Sequence, residues 1–429
     1  MTSIRSIIWS LKNKLTSILT LNLKDTTSLL HKCDVLFFCH DVDRGVDLNG
    51  KAYSPLIDSV RDDFESRGFA CITIAHPWSV MVGVKAHGSP IAINGGYFID
   101  RLITKIFRVN SKRIANRYRN VFHKVFSITE AKLIITVGCS DTLCEEARLA
   151  NCFHVELLHG IGYTFIPWGW GEKATKHLPQ AIATLDDISA GSFSPLNKLG
   201  VEVKTVPHPF WRRFNLRNSN NLPMEWSLAN LESSKFKKQI LVSLQWAYAG
   251  DHGEHTQFSN ILNNGLFYEE IAEVIEYTKD IFWRFRLHPV QLRQKKYVKL
   301  RAFLDEFVKK NPNTEWRQSS VLPFPSLIAQ CSGNISMSSM SCYDSAAMGV
   351  PSIMLCPTVQ PGSIYENRFA DLVREGYVLK SPVSVEGLKS WVCSTEKRSP
   401  RMAGLYEEDN WTDAVVWMLS KMSSSKYIA

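Results

Sequence analysis

The chain has 429 residues, 45% of them apolar and 21% charged. That is enough material for large packed cores and excludes a disordered or collagen-like chain. The 50 Lys and Arg against 41 Asp and Glu leave a formal charge of +9, which favours anionic partners such as nucleotides, acidic glycans and lipid head groups without choosing among them.

At roughly 150 residues per domain the length allows two or three domains, and two larger α/β domains fit equally well. The 10 cysteines are scattered, with no C-x-x-C pair, and Cys39, Cys71 and Cys356 sit inside apolar runs. They read as reduced core residues of a cytoplasmic protein, and no metal centre is expected. No apolar run approaches the roughly 20 residues of a membrane-spanning helix. The stretch from Ile4 to Leu23 is broken by Arg5, Lys12 and Lys14 and lacks a small-residue cleavage site, which argues against a signal peptide. Its apolar residues recur at helical spacing, so it is either a helix packed on its own domain or an interfacial membrane helix.

From Asp34 onward, short apolar runs alternate with amphipathic stretches, the pattern of βα units around a parallel sheet. Strands are expected at Val35–Cys39, Ala70–Ala75, Leu133–Val137, His154–Leu158, Ala181–Leu185 and Val201–Val206, with helices at Pro55–Ser66 and Asp141–Ala150. Pro207, Pro209, the polar run Asn218 to Asn221 and Pro223 then mark a break. The second series reads as strand Ile240–Leu244, a helix near Glu269–Tyr277, strand Phe282–Leu287, helix Lys295–Lys309, strand Asn334–Met337, a short helix through Ala346 and strand Ser352–Leu355. Helical segments follow at Asn367–Glu375, Val385–Val392 and Trp411–Met422. The expected organisation is a first domain over 1–210, a linker over 211–235 and a second domain over 236–429, whose last helix can return to the first. Two doubly wound Rossmann-type domains would face a cleft at the C-terminal ends of their strands, where such folds bind ligands.

Chemistry-bearing residues cluster at those strand ends. His288 follows a strand and is stopped by Pro289; an imidazole there can donate an N–H to a phosphate, although a histidine can also simply cap a strand. Arg286 precedes it, pointing either into the site or to the opposite face. About fifty residues on, Ser338, Ser339 and Ser341 occupy a hydroxyl-rich turn before a short helix closed by Gly349, an arrangement suited to an anion without metal. Gln245 opens a loop that contains Asp251, His252 and His255. In the first domain Asp41, Asp43 and Arg44 follow the first strand, as two carboxylates and an arginine reaching into the cleft or as a salt-bridged turn. His159 with Gly160 ends another strand, and His208-Pro209 reads as structural.

The His-Pro after a strand, followed by Ser-x-Ser ahead of an acidic residue and Ala-Ala-x-Gly-x-Pro, resembles bacterial GT-B glycosyltransferases of surface polysaccharide assembly, lipopolysaccharide and capsule included. The pairing is most similar to members that use CMP-activated acidic sugars, the sialyltransferases and Kdo (3-deoxy-manno-octulosonate) transferases. The resemblance implies phosphate contact for His288 and nucleotide contact for Ser339 and Ser341, no metal and no cofactor beyond the donor. It implies a nucleophilic role for Asp251 if the enzyme retains configuration, a base among Asp41 and Asp43 if it inverts, and assistance at the acceptor for His159. The implied partners are a nucleotide sugar and a glycan or glycolipid acceptor. The Asp251 loop and the lack of an Asp-Asp-Gly type motif favour Kdo over sialic acid. A nucleotide-sugar epimerase or hydrolase of the same fold, and a noncatalytic glycan-binding protein, stay open.

Between Arg101 and Lys124 lie eight Lys and Arg and no acid, interleaved with Ile103, Ile106, Phe107, Ile114, Tyr118 and Phe122. This is either a basic amphipathic face for anionic membrane on the inner side of the cell or an ordinary solvated helix. Nucleic acid is not expected, because no reading module accompanies the run.

Overall fold

The computed structural model describes residues 25–77, 79–93, 112–214, 223, 226, 235–246, 261–401 and 408–424. The chain divides into two compact units, residues 1–210 with 408–429, and residues 211–407.

The first unit is built on β1 (Val35–Cys39), β4 (Cys71–Ala75), β5 (Leu133–Val137), β6 (Phe153–Leu157), β7 (Ala181–Thr184) and β8 (Glu202–Thr205), with a hairpin of β2 (Val46–Leu48) and β3 (Lys51–Tyr53) between β1 and β4. The six-stranded sheet runs β4-β1-β5-β6-β7-β8, and every neighbouring pair is parallel. Both faces are covered, so the central strands are apolar throughout rather than alternating. On one face Val35, Phe37, Leu133, Ile135 and Val155 meet helix α1 (Ile57–Ser66) and, from the C-terminal helix Glu408–Ser424, the side chains of Trp411, Ala414, Val415 and Met418. On the other, Leu36, Phe38 and Ile134 meet helices α2 (Lys112–Thr129) and α3 (Asp141–Leu149).

Arg44 does not reach toward a ligand with Asp41 and Asp43. It is buried, and its Nη1 donates to Asp58 Oδ2 at 2.6 Å and to the carbonyls of Ala52 and His87, tying the hairpin to α1. Breaking one side of such a buried pair typically costs about 3–5 kcal/mol.

The second unit repeats the plan with β9 (Lys238–Ser243), β10 (Ile281–Arg286), β11 (Thr314–Glu315), β12 (Gly333–Ser336), β13 (Ser352–Met354) and β14 (Val378–Lys380). Its sheet runs β11-β10-β9-β12-β13-β14, again parallel throughout. Residues 211–214, placed in a linker by their composition, form a 3-10 turn within this unit, where Trp211 faces Phe324 at 6.5 Å.

Candidate functional site

Each sheet reverses its winding once. In the first unit the chain leaves β1 for β4 on one side and returns to β5 on the other; in the second it leaves β9 for β10 and returns to β12. The loops leaving the two strands at such a switch point diverge and open a crevice at their C-terminal ends. A hydrogen bond spans each switch point in this protein. His40 Nε2–H, after β1, donates to the Gly138 carbonyl after β5 at 3.2 Å. Ser338 N–H, after β12, donates to Gln245 Oε1 after β9 at 2.7 Å.

In the second unit the register levels three strand ends, with Ser243 opposite both Arg286 and Ser336. Two residues further on stand Gln245, His288 and Ser338. Proline at 289 begins the short helix α4 (Pro289–Arg293), which His288 caps. Its Nδ1 accepts from Val290 N–H at 3.3 Å while its own backbone N–H donates to Gln291 Oε1 at 3.2 Å. With Nδ1 held as an acceptor, the ring proton sits on Nε2, which takes no partner among the described residues. Burial first, then the charge of Arg286, push the His288 pKa down to about 4. The imidazole is therefore neutral near pH 7 and keeps one N–H available. The Trp246 ring stands 6.1 Å from it.

The serine turn is held by its own hydroxyls before helix α5 (Ser341–Ala347). Ser339 N–H donates to Ser336 Oγ at 3.0 Å, and Ser341 N–H to Ser339 Oγ at 3.2 Å. Ser341 Oγ is buried and meets no hydrogen-bond partner among the described residues, which leaves a donor in the turn that adjoins Gln245. Arg286 is partly committed elsewhere: its Nη1 donates to the carbonyls of Ser319 at 2.5 Å and Leu322 at 2.7 Å, with the guanidinium 5.6 Å from the Phe324 ring. Burial pushes Asp344, one turn into α5, up to about 7 against the pull of Arg286.

The first unit gathers a different set. Asp41 accepts from Ser79 Oγ and, at 2.7 Å, from Val80 N–H. Asp43 Oδ2 accepts the His40 N–H at 3.2 Å, and burial lifts its pKa to about 7. The His40 and His76 rings lie 4.0 Å apart at 36°. Burial holds His40 below the ordinary imidazole range, and burial followed by the charge of His40 takes His76 down to about 4. His159, at the end of β6, has Tyr163 Oη 3.1 Å from its Nε2 and the Trp168 ring at 5.7 Å. Desolvation and then the charge of His40 keep it below its ordinary value, while burial first, then the charges of Glu156 and Asp43, hold the Tyr163 phenol above its own. The arrangement offers a carboxyl group poised to exchange a proton near neutrality beside neutral imidazoles, which suits deprotonation of a hydroxyl.

The structure thus groups His288, Pro289, Gln245, Ser338, Ser339, Ser341 and Arg286 at one switch point, and Asp41, Asp43 and His159 at the other. Asp251, with His252 and His255, lies outside the described residues, as does the stretch from Ile4 to Leu23. His40, His76, Tyr163 and Trp246 were not singled out from sequence, and Asp344 entered only as the acidic residue of the Ser-x-Ser motif. His76-Pro77 directly follows an apolar strand, the same signal that exposed His288-Pro289. The basic run lies partly outside the described residues. In α2, Phe122 is buried and Tyr118 packs against the same core, so this apolar face is taken by the unit itself. Arg119 pairs with Glu145 at 3.0 Å and Glu146 at 3.2 Å. Among the described residues no helix is long and apolar enough to cross a membrane.

No protein-family model and no curated protein matches the chain in sequence. Solved structures match it in fold. The UDP-GlcNAc 2-epimerase from Methanocaldococcus jannaschii is 14% identical, with 90% of this chain and 99% of that one covered at a TM-score of 0.53. The UDP-GlcNAc 2-epimerase from Neisseria meningitidis, solved bound to UDP-GlcNAc, is 11% identical over 90% of this chain and 100% of that one, at a TM-score of 0.50. The chain therefore has a GT-B-like fold, two Rossmann-type α/β units with six parallel strands each.

Proposed function

We propose that the chain processes a nucleotide sugar, and that it is a glycosyltransferase moving an acidic sugar, Kdo foremost, from a CMP donor to a surface-polysaccharide or lipid-linked glycan acceptor. One observation carries the reading: a neutral imidazole N–H and a serine turn stand at level strand ends around the second switch point, with Gln245 tying the turn to the loop that carries Trp246. Neutral donors around a phosphate suit a monophosphate leaving group better than a diphosphate, whose extra charge calls for a fixed cation. Arg286, the cation at this strand end, spends its Nη1 on two backbone carbonyls.

In this reading His288, Ser339 and Ser341 hold the phosphate of CMP. Asp43, assisted by Asp41 and His159, takes the acceptor proton in an inverting reaction, whereas Asp251 forms the glycosyl-enzyme in a retaining one. Peripheral contact with anionic lipid would be electrostatic, through exposed Arg117 and its neighbours on α2. A second reading, a nucleotide-sugar epimerase or hydrolase, is favoured by the likeness in fold to the UDP-GlcNAc 2-epimerases.

Thermal shift with CMP, UDP and GDP separates the donors: CMP alone is expected to raise the melting temperature, and stabilisation by UDP alone would sink the CMP assignment. Product analysis with and without glycan acceptor separates transfer from epimerisation or hydrolysis.

A further inference from the structure

The loop that leaves β6 after His159 carries four aromatic residues, Tyr163, Phe165, Trp168 and Trp170, and it treats them in two ways. Trp170 is buried with its ring 6.0 Å from Phe193, and Tyr163 packs on the same core. Gly162 N–H donates to Asp186 Oδ2 at 2.9 Å and Tyr163 N–H to Ser189 Oγ at 3.1 Å, both on buried side chains around the start of the helix Asp187–Phe193. Between these anchors Phe165 is left 66% exposed and Trp168 48% exposed.

Trp168 holds its place at a cost. Its backbone has φ +60°, a left-handed conformation that a bulky residue rarely adopts, and Gly169 beside it has φ +65°. Strain of this kind persists where neighbouring contacts over-determine it, and it clusters at ligand sites. Three rings hold the indole: Trp170 at 5.1 Å, His159 at 5.7 Å and Tyr163 at 5.8 Å between centroids. An indole fixed in this way loses little side-chain freedom when a ligand arrives. Its polar neighbours narrow the choice of ligand. Tyr163 Oη stands 3.1 Å from His159 Nε2, so the half-exposed ring is bordered by a hydroxyl and an imidazole rather than by aliphatic side chains. A pyranose is built to match, with C–H bonds on its faces and hydroxyls around its rim. Those hydrogens are slightly positive and settle on the negative face of an aromatic ring. Two partly exposed rings, about 150–250 Å² each when whole, fall short of the roughly 800 Å² that a stable protein partner covers, but they suffice for a sugar.

We infer that Trp168 is the floor of a saccharide subsite in the first unit, where a pyranose ring of the acceptor glycan stacks on the indole while Tyr163 and His159 hydrogen-bond its hydroxyls. Because the indole and imidazole centroids are 5.7 Å apart, a sugar on the one comes within reach of the other. The subsite rests on the reading of the chain as a transferase with a glycan acceptor, and adds to it the side chain that grips that acceptor.

Saturation-transfer difference NMR on the full-length protein tests this with the methyl β-glycosides of glucose, galactose and N-acetylglucosamine and the methyl α-glycoside of Kdo as probes. At least one glycoside is expected to receive saturation, strongest on the C–H hydrogens of one ring face. The same glycoside should bind at least about tenfold more weakly to Trp168→Ala, the usual order of loss when an aromatic anchor is truncated. Trp168→Phe keeps a ring and should hold part of the affinity, which mere loosening of the loop would not give. The inference is overturned if no glycoside receives saturation, if Trp168→Ala binds like the parent, or if Trp168→Phe loses as much as Trp168→Ala. The CMP thermal shift of the parent reads the donor assignment separately. A CMP shift without ring-dependent sugar binding sinks the subsite alone, and ring-dependent sugar binding without a CMP shift sinks the donor assignment alone.

Discussion

Gln245 offers a two-sided test of the second switch point. Its Oε1 accepts the Ser338 N–H, and Ser338 is 5% exposed. Gln245→Ala leaves that N–H without its acceptor, which costs about 1–3 kcal/mol and loosens the serine turn. Gln245→Glu keeps an oxygen in place, so the fold is retained, but it sets a negative charge beside the phosphate. At about 5 Å and an effective dielectric near 20, Coulomb's law gives about 3 kcal/mol of repulsion, on the order of a hundredfold in affinity. Urea unfolding and calorimetric titration with CMP at pH 8 read the two effects separately. Gln245→Ala should lose stability and affinity together, whereas Gln245→Glu should keep its urea midpoint and lose CMP. A Glu variant that binds CMP like the parent, or an Ala variant unchanged in both measurements, would refute the placement of phosphate at this turn.

Asp43→Asn should lower the rate of acceptor-dependent transfer by about 10²–10⁴, the usual worth of a general base, and should abolish an activity limb that rises with pH through about 7, where Asp43 ionises; an unchanged pH–rate profile would remove it from that role. Asp344 has a pKa of about 7 in the folded chain against an ordinary 3.8, because burial outweighs Arg286. Between those values the native state holds a proton that the unfolded chain has released, so this group adds stability as pH falls from about 7 toward 4 and withdraws it as pH climbs through 7. Asp344→Asn should therefore exceed the parent in urea midpoint at pH 8, with the gap closing by pH 5; a gap independent of pH would contradict the shift. Trp411→Ala, which removes a 1%-exposed side chain from the face where the C-terminal helix covers the first sheet, should cost about 3–5 kcal/mol in the same assay. A loss below 1 kcal/mol would deny that packing.

The sequence made the parallel strands legible where an apolar run was bounded by polar residues on both sides. Val35–Cys39, set between Asp34 and His40, matches the structure residue for residue. His154–Leu158 was displaced by one residue because Phe153 is as apolar as the residues that follow it, and the pairing of Phe153 with Leu133 decides the register. The hairpin was overlooked although Asn49-Gly50 carries the strongest short-range signal for one, and both residues have positive φ. The edge strand Thr314–Glu315 has two residues, too few for any periodicity to register.

At the sites, strand-end histidines and serines were visible because polar residues after an apolar run stand out. Glu156 and His154 passed as parts of a strand, since only their partners across the sheet and in the turn after β5 make burial of such groups tolerable. Tyr163 and Trp246 gained meaning only from the imidazoles they approach, His159 and His288. Arg44 shows the converse: its neighbours in sequence suggested a ligand site, and a carboxylate fourteen positions on, Asp58, claims it instead.

The central claim is that His288 donates to a nucleotide phosphate at the second switch point. Side-chain ¹⁵N NMR of the histidines, with His288→Gln to assign the signal, reads that contact in the intact protein. Addition of CMP is expected to shift the Nε2–H resonance of His288 at pH 7 while the ring stays neutral, and Ser341→Ala is expected to weaken the response. CMP that stabilises the protein yet leaves the His288 resonance unmoved would contradict the claim and place the nucleotide elsewhere.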